Sequence, residues 1–194
     1  MPQWEMETAR LWLRQPVDDD ISSRVEIPRD AEENRMYGGD GSPKTFSAEE
    51  VRARLTAMMA RNGEGTWSWV IGAKVWPDGT IVAQPKGRYI GQITLFGIDL
   101  DHRNARLRMG IYDRRFWSQG LGREAIRCIL GHVFDDLHLH RISLRVAAYN
   151  LRAIRSYACC GFVEEGRERE SIWLDGRWWD DLIMGVLDSE LIRN

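Results

Sequence analysis

Residues 115–125 of this 194-residue chain carry its most informative local pattern, Arg115-Phe116-Trp117-Ser118-Gln119-Gly120-Leu121-Gly122-Arg123-Glu124-Ala125. The stretch follows a predicted strand, residues 105–112, and precedes a helix whose apolar residues recur with the 3.6-residue period from Ile126 to Leu137. Glycines have no side chain, so an anion can approach their backbone N–H groups closely. The N-terminus of a helix also carries a partial positive charge. The stretch therefore predicts an anion site, and a diphosphate suits a row of several amides.

Two other phosphate-binding patterns share these glycines. Gly120 to Ala125 also fits the dinucleotide pattern G-x-G-x-x-G/A, which needs an acidic residue at the end of the next strand. The next strand, Arg141 to Ala147, contains no acid. A P-loop needs Lys-Ser or Lys-Thr after the glycines, and neither follows here. A glycine-rich helix start that binds nothing remains the structural alternative.

The flanking segments predict a mixed α+β fold. Strands are expected where polar and apolar residues alternate or where apolar runs end in turns, and helices where the period is 3.6. The short connections in the first half favour antiparallel pairing. The predicted strands are 9–14, 67–72, 89–99, 105–112, 141–147, one from 162 onward, a hairpin at 171–179 and a last strand at 182–187. The predicted helices are 21–27, 47–59, 126–137 and 150–160.

Composition narrows the class of protein. The formal net charge of -2 argues against a nucleic-acid partner, and we found no apolar run long enough to cross a membrane. Three cysteines form neither a metal-ligand spacing nor a paired framework, which favours a reducing cytoplasm. His132, His138 and His140 are interpreted as a polar helix end, so no metal is expected.

Three further segments join the glycine stretch in an order that resembles the GNAT superfamily of N-acetyltransferases. Residues 117–122 resemble the family's pyrophosphate-binding motif, Q/R-x-x-G-x-G/A, with Trp117 at its first position. Residues 150–162 resemble the family's segment N-x-x-A-x-x-x-Y-x-x-x-G-F. The start, Arg10 to Arg14, and the end, Asp175 to Met184, are similar to the branch that acetylates ribosomal proteins and polyamines.

The resemblance implies one domain over residues 1–194, with a mostly antiparallel sheet of about six to seven strands and about four helices. It also implies a V-shaped split between the two central strands, where acetyl-CoA binds as co-substrate. The CoA-binding residues that it implies are Ile111, Trp117, Gln119, Gly120, Leu121, Gly122, Arg123 and Asn150.

The resemblance assigns the general acid to Tyr157, whose phenol is protonated at neutral pH. A core tyrosine is the alternative. Asn150 suits a helix N-cap as well as it suits CoA binding. Arg127 suits either a phosphate contact or a solvated helix face. The oxyanion donor is expected among the backbone N–H groups of residues 111–113.

The resemblance does not supply a general base for this chain. Many relatives carry Glu where this chain has Arg108, and Asp99, Asp101 and His102 are the nearby candidates. Arg108 would repel a polyamine and cannot take up a proton. We therefore hypothesise an acceptor whose amine titrates easily or that carries an anionic group. Trp178 is a second candidate contact for the acceptor.

The resemblance implies an enzyme that transfers an acetyl group from acetyl-CoA directly to a primary amine, and the cysteine pattern favours a cytoplasmic one. The acceptor is a peptide or protein N-terminal α-amine or a small amino compound. The alternatives are a CoA sensor without turnover and an acetyltransferase for polyamines or antibiotics. The nine tryptophans also allow a homodimer seam.

Overall fold

The computed structural model describes residues 2–27, 31–36, 39–63 and 65–192. Within them the chain forms eight strands and five α-helices. The strands are β1 (Glu5–Glu7), β2 (Leu11–Arg14), β3 (Thr66–Ala73), β4 (Arg88–Asp99), β5 (Asn104–Ile111), β6 (Arg141–Ala147), β7 (Val163–Leu174) and β8 (Arg177–Leu187). The helices are α1 (Asp19–Val25), α2 (Ala31–Met36), α3 (Ala48–Ala60), α4 (Leu121–Gly131) and α5 (Leu151–Ala158).

One mixed sheet carries all eight strands in the order β1-β2-β3-β4-β5-β6-β8-β7. Every neighbouring pair is antiparallel except β5 and β6, which are parallel. Their register holds for only three pairs, from Asn104–Arg141 to Arg106–Ser143. Both strands continue beyond that point, so the sheet opens between them. The predicted mostly antiparallel sheet with a central split is confirmed.

The sequence analysis missed two short elements, β1 and α2. Neither is long enough to show a period, which is why sequence patterning overlooks them. The strand predicted from residue 162, the hairpin predicted at 171–179 and the strand predicted at 182–187 are instead one long hairpin, β7 and β8, closed by Asp175 and Gly176. Both turn residues have positive φ, 51° and 78°, as the Asp-Gly signal predicts.

The predicted loop at residues 37–43 falls partly outside the described residues, at Tyr37 and Gly38. Its described part is tied to α2, because Gly39 N–H donates to the Asn34 carbonyl and Gly41 N–H to the Asn34 side chain. The predicted capping box of α3 is confirmed, since Ser47 and Glu50 exchange side-chain and backbone hydrogen bonds.

The core lies between the sheet and helix α4. Its buried face includes Ile126, Ile129 and Leu130, each fully buried, as the helical period predicts. After Gly131 the helix widens into a π-helical turn over residues 132–136. No helix among the described residues is both long and apolar enough to span a bilayer.

The entry to α1 depends on a buried ion pair. Arg14 and Asp20 are 2% and 1% exposed, and two N–H···O bonds of 2.8 Å join them. Arg14 also donates to the carbonyl of Lys86, and Asp20 accepts from Val17 N–H. The pair therefore ties β2, α1 and the segment before β4 together.

We expect Asp20→Asn to lower the free energy of unfolding by about 3–5 kcal/mol, because it leaves the Arg14 guanidinium buried without its counter-charge. Denaturant unfolding followed by circular dichroism measures this. Asp18→Asn is the control, since Asp18 pairs with Arg52 at the exposed surface and is expected to cost less than about 1 kcal/mol. Equal losses in the two variants would contradict the role of the buried pair.

Candidate active site

The split between β5 and β6 exposes backbone amides of β5. Tyr112 N–H donates to the Ile90 carbonyl at 2.7 Å, which fixes the alternation of hydrogen bonds along β4 and β5. The N–H groups of Leu107, Met109 and Ile111 therefore point away from β4, toward β6. Because β6 has diverged by then, the amides of Met109 and Ile111 face the opening.

This geometry narrows the expected oxyanion donor. Of residues 111–113, Tyr112 and Asp113 both donate their N–H to the Ile90 carbonyl, at 2.7 and 3.3 Å. Only Ile111 has its N–H directed into the split. The Ile111 carbonyl accepts the indole N–H of Trp117 at 2.7 Å, so this tryptophan fixes the strand end to the glycine stretch.

The opening forms a cleft of about 560 Å³. One wall is the C-terminal half of β5 with the glycine stretch, and the other is the end of β6 with α5. Arg108 and the predicted acid Tyr157 line it. So do seven of the eight predicted CoA-binding residues, namely Ile111, Trp117, Gly120, Leu121, Gly122, Arg123 and Asn150. The cleft lies within the size range of small-molecule sites.

The N-terminus of α4 opens onto this cleft without a side-chain cap. Gly120 is its N-cap with φ of 79°, and the first intrahelical bond runs from Glu124 N–H to the Gly120 carbonyl. The amides of residues 121–123 therefore have no helical acceptor. A Cβ on Gly120 would be strained at this φ and would lie 3.1 Å from the Arg123 guanidinium. These features fit a diphosphate, as the sequence predicts.

Glu124 lies in the first turn of α4 but is occupied elsewhere. It accepts hydrogen bonds from Thr8, from Arg10 N–H and from the Arg10 guanidinium. Burial alone would raise the pKa of Glu124, but these hydrogen bonds lower it, so the carboxylate is ionised at neutral pH. Arg10 in turn donates to the Gln119 carbonyl at 3.0 Å, which holds the loop before α4.

Tyr157 lies on the opposite wall, on α5. It is 7% exposed and packs edge-on against Phe162, with ring centroids 5.6 Å apart. Burial, with a smaller contribution from Cys160, raises the pKa of Tyr157 above its ordinary value. The phenol is both a packed core group and a protonated group at the cleft, so the two sequence interpretations do not exclude each other.

Asn150 caps α5. Its side chain accepts from Ala153 N–H at 3.1 Å, and the residue also lines the cleft. Arg127 donates to the Cys159 carbonyl at the other end of α5, where it supports the helix C-terminus. The sequence analysis missed Arg152, whose guanidinium lies 3.4 Å from the Trp117 ring centroid. Nothing local marks this contact, because it joins α5 to the glycine stretch across the cleft.

Other predicted residues lie elsewhere. Gln119 turns its side chain back to the Arg115 carbonyl, at 2.6 Å, and lines a neighbouring hollow with Arg10 and Glu124. Trp178 is about half exposed near the tip of the β7–β8 hairpin, where it packs against Trp173. Among the described residues that line the cleft, Trp178 is absent.

The candidate bases lie far along the hairpin from the split. Asp99, the last residue of β4, accepts from His102 N–H and contacts its Nδ1, while Asp101 and His102 are exposed in the β4–β5 turn. The split is at the opposite end of β5. Within the described part of the chain, no Asp, Glu or His lines the cleft. Arg108, at the position where many relatives carry Glu, is exposed, and its guanidinium lies over the Phe96 ring.

The fold and the cleft place the chain in a known family: it belongs to the GNAT family. Residues 10–163 match the family model described as "Acetyltransferase (GNAT) domain". A solved spermidine N-acetyltransferase from Vibrio cholerae, in complex with CoA and spermine, superposes with a TM-score of 0.70 at 24% identity over 94% of this chain and 98% of its own. That likeness shows the fold.

Curated relatives carry the names of both activities of the predicted branch, polyamine acetylation and ribosomal-protein acetylation. The spermidine N(1)-acetyltransferase of Vibrio cholerae is 34% identical over 58% of this chain and 65% of its own length. YdaF of Bacillus subtilis, named provisionally as a ribosomal N-acetyltransferase, is 27% identical over 54% of this chain and 56% of its own. The matches therefore span less than two thirds of these relatives.

We expect Gly120→Ala to weaken binding of CoA about tenfold or more, because φ of 79° strains an alanine and distorts the uncapped amides. Calorimetric titration with CoA measures this. Gly131→Ala, at the C-terminal end of the same helix and outside the cleft, is the control: a Cβ there would meet nothing within 4 Å, and binding should change little. Equal affinities in both variants would contradict a diphosphate site at this helix end.

Proposed function

We propose that the protein transfers the acetyl group of acetyl-CoA directly to a primary amine, either a peptide or protein N-terminal α-amine or a small amino compound. One observation carries the proposal: unpaired β5 amides, an uncapped helix N-terminus and a protonated tyrosine line one cleft. Family membership supports the same reaction.

Each group has a role in this proposal. The amides of residues 121–123 hold the diphosphate of the co-substrate, and the thioester lies along β5. The Ile111 N–H donates to the carbonyl oxygen as it gains negative charge. The amine nitrogen attacks the carbonyl carbon, the C–S bond breaks, and the Tyr157 hydroxyl donates its proton to the leaving thiolate. The nitrogen, which becomes cationic on attack, releases one proton to water, and the Tyr157 phenolate regains a proton from water before the next turnover.

The amine must arrive neutral, because no carboxylate or imidazole among the described cleft residues can deprotonate it. A peptide α-amine, with a pKa of about 8, is neutral far more often near pH 7.5 than a lysine amine of about 10.4. This favours α-amines over polyamines. The spermidine acetyltransferase among the relatives keeps a polyamine acceptor as the second candidate.

Binding of acetyl-CoA is the first test. At a hundred times its dissociation constant a ligand stabilises the folded state by about 2.7 kcal/mol, which for a chain of this size raises the melting temperature by roughly 5–11 °C. We expect that rise with acetyl-CoA and none with NADH, measured by differential scanning fluorimetry. No rise with acetyl-CoA would overturn the proposal.

Turnover is tested with Tyr157→Phe. We expect kcat to fall between about a hundredfold and ten-thousandfold, because the thiolate loses its proton donor. Affinity for acetyl-CoA should be unchanged, since the phenyl ring still packs on Phe162. Thiol release in the presence of a peptide amine measures the rate. A wild-type protein that binds acetyl-CoA but releases no thiol with any amine would be a sensor.

The pH profile gives an independent check. Activity should rise with pH as the acceptor amine loses its proton, with a midpoint near about 8 for an α-amine. Because burial raises the pKa of Tyr157, this acid stays protonated beyond its ordinary value of about 10, and its loss should appear only above that pH. A fall in kcat/KM between about pH 8 and 9.5 would contradict Tyr157 as the acid.

A further inference from the structure

A second cavity, of about 450 Å³, lies between the sheet and helices α1 and α3. It shares Arg108 and Met109 with the first cleft, so the two cavities meet at the part of β5 where the thioester is proposed to lie. We call it the arginine pocket. Its charged lining is Arg24, Arg54, Arg61 and Arg108, and its apolar wall is Phe46, Val51, Leu55, Met58, Tyr89 and Tyr112.

The charge of this pocket differs from that of the whole chain. The chain has 27 basic and 29 acidic residues, yet the described lining of the pocket holds four arginines and no Asp, Glu or His. Glu50, one helical turn before Arg54, is fully exposed and lies outside the lining. A polyamine entering this pocket would meet only like charge.

Arg24 shows that the charge is poorly compensated. It is 7% exposed, and its guanidinium lies 4.6 Å from the Phe46 centroid and 5.2 Å from the Tyr112 centroid. It donates one hydrogen bond, to the Ile27 carbonyl. In the described parts of the chain, no carboxylate lies within ion-pair distance of it.

Other buried arginines are paired. Arg14 has Asp20, and Arg88, which is 4% exposed, has Glu26 at 2.8 Å. A buried charge is costly unless a counter-charge accompanies it. Among the described residues, Arg24 therefore has no counter-charge of the kind that Arg14 and Arg88 have. A bound anion would supply it, and Arg24 lines a cavity large enough to hold one.

We propose that the arginine pocket binds a carboxylate of the acceptor, so that the amine acetylated by this protein carries a carboxylate and an apolar group. This rests on the proposed transfer reaction. A free apolar amino acid has this chemistry, and so does a peptide with an acidic residue next to an apolar N-terminal residue. Guanidinium groups bind carboxylates through paired, charge-assisted hydrogen bonds, and the aromatic wall receives the apolar group.

The same arginines reduce the need for a general base, because they lower the pKa of the bound amine. Like charges nearby disfavour an ammonium ion and lower the pKa of the amine. The acceptor carboxylate, which would otherwise raise that pKa, is neutralised by its guanidinium partners. An amine held beside Arg108 is thus deprotonated more readily than in water.

The test compares acceptors that differ only in the carboxylate. We expect kcat/KM for phenylalanine to exceed that for phenylalaninamide by roughly ten- to a hundredfold, the effect of a charge-assisted hydrogen bond, with spermidine poorest. Preference for the amide or for spermidine would overturn the proposal. The dipeptide amides Phe-Asp and Phe-Asn show whether the carboxylate can come from the second residue of a peptide. A preference for phenylalanine over its amide, or for Phe-Asp over Phe-Asn, supports the carboxylate pocket.

Two variants locate the effect. Arg24→Met and Arg54→Gln should abolish the preference for the carboxylate while leaving affinity for acetyl-CoA unchanged. Arg52→Gln, on the same helix as Arg54 but outside the pocket, is the matched control and should keep the preference. An unchanged acid-to-amide ratio in both pocket variants would overturn the proposal, and Arg54→Gln serves if Arg24→Met does not fold.

A binding measurement tests the carboxylate pocket independently of the transfer reaction. With CoA saturating, N-acetylphenylalanine should raise the melting temperature and N-acetylphenylalaninamide should not, and Arg54→Gln should remove the difference. If no amine is acetylated but this difference remains, the transfer reaction fails and the carboxylate pocket stands. Equal stabilisation by both compounds, with turnover intact, would leave the transferase and overturn the pocket.

Discussion

The divergence of β5 from β6 is the constraint on which the rest of the site depends. Backbone N–H groups inside a protein need acceptors, and a central strand normally finds them on both neighbours. Here the parallel register ends after three pairs, at Arg106 and Ser143, while β5 runs on to Ile111. The amides of Met109 and Ile111 therefore face a space that the fold itself does not fill. In the proposed function, the carbonyl groups of the co-substrate accept hydrogen bonds from these amides.

The neighbouring elements hold this opening in shape. Trp117 fastens the strand end to the glycine stretch through the Ile111 carbonyl, and Arg152 stacks on the same indole from the opposite wall. Gly91 on β4 lies so close to β5 that a Cβ there would be 2.0 Å from the Gly110 carbonyl. The position of β5 is thus set from both sides, which lets its free amides act as a fixed binding edge.

Much of this arrangement could be predicted from local sequence. The 3.6-residue period of α4, the capping box of α3 and the Asp-Gly turn each describe contacts within a few residues, and each is found as expected. The missed elements, β1 and α2, are too short to show a period. The oxyanion donor could not be chosen from residues 111–113, because the choice depends on which amides β4 already occupies.

The sequence by itself determined the class of protein and the glycine stretch proposed to bind the co-substrate, because this stretch and the helix after it are contiguous and their chemistry is local. Only the tertiary structure decided the arginine pocket that we propose for the acceptor. Arg24, Arg54 and Arg108 come from α1, α3 and β5, and no spacing in the chain relates them. Long-range packing brings these three elements to one cavity, which gives the cavity its common charge. Among the described residues it brings no carboxylate to the buried Arg24.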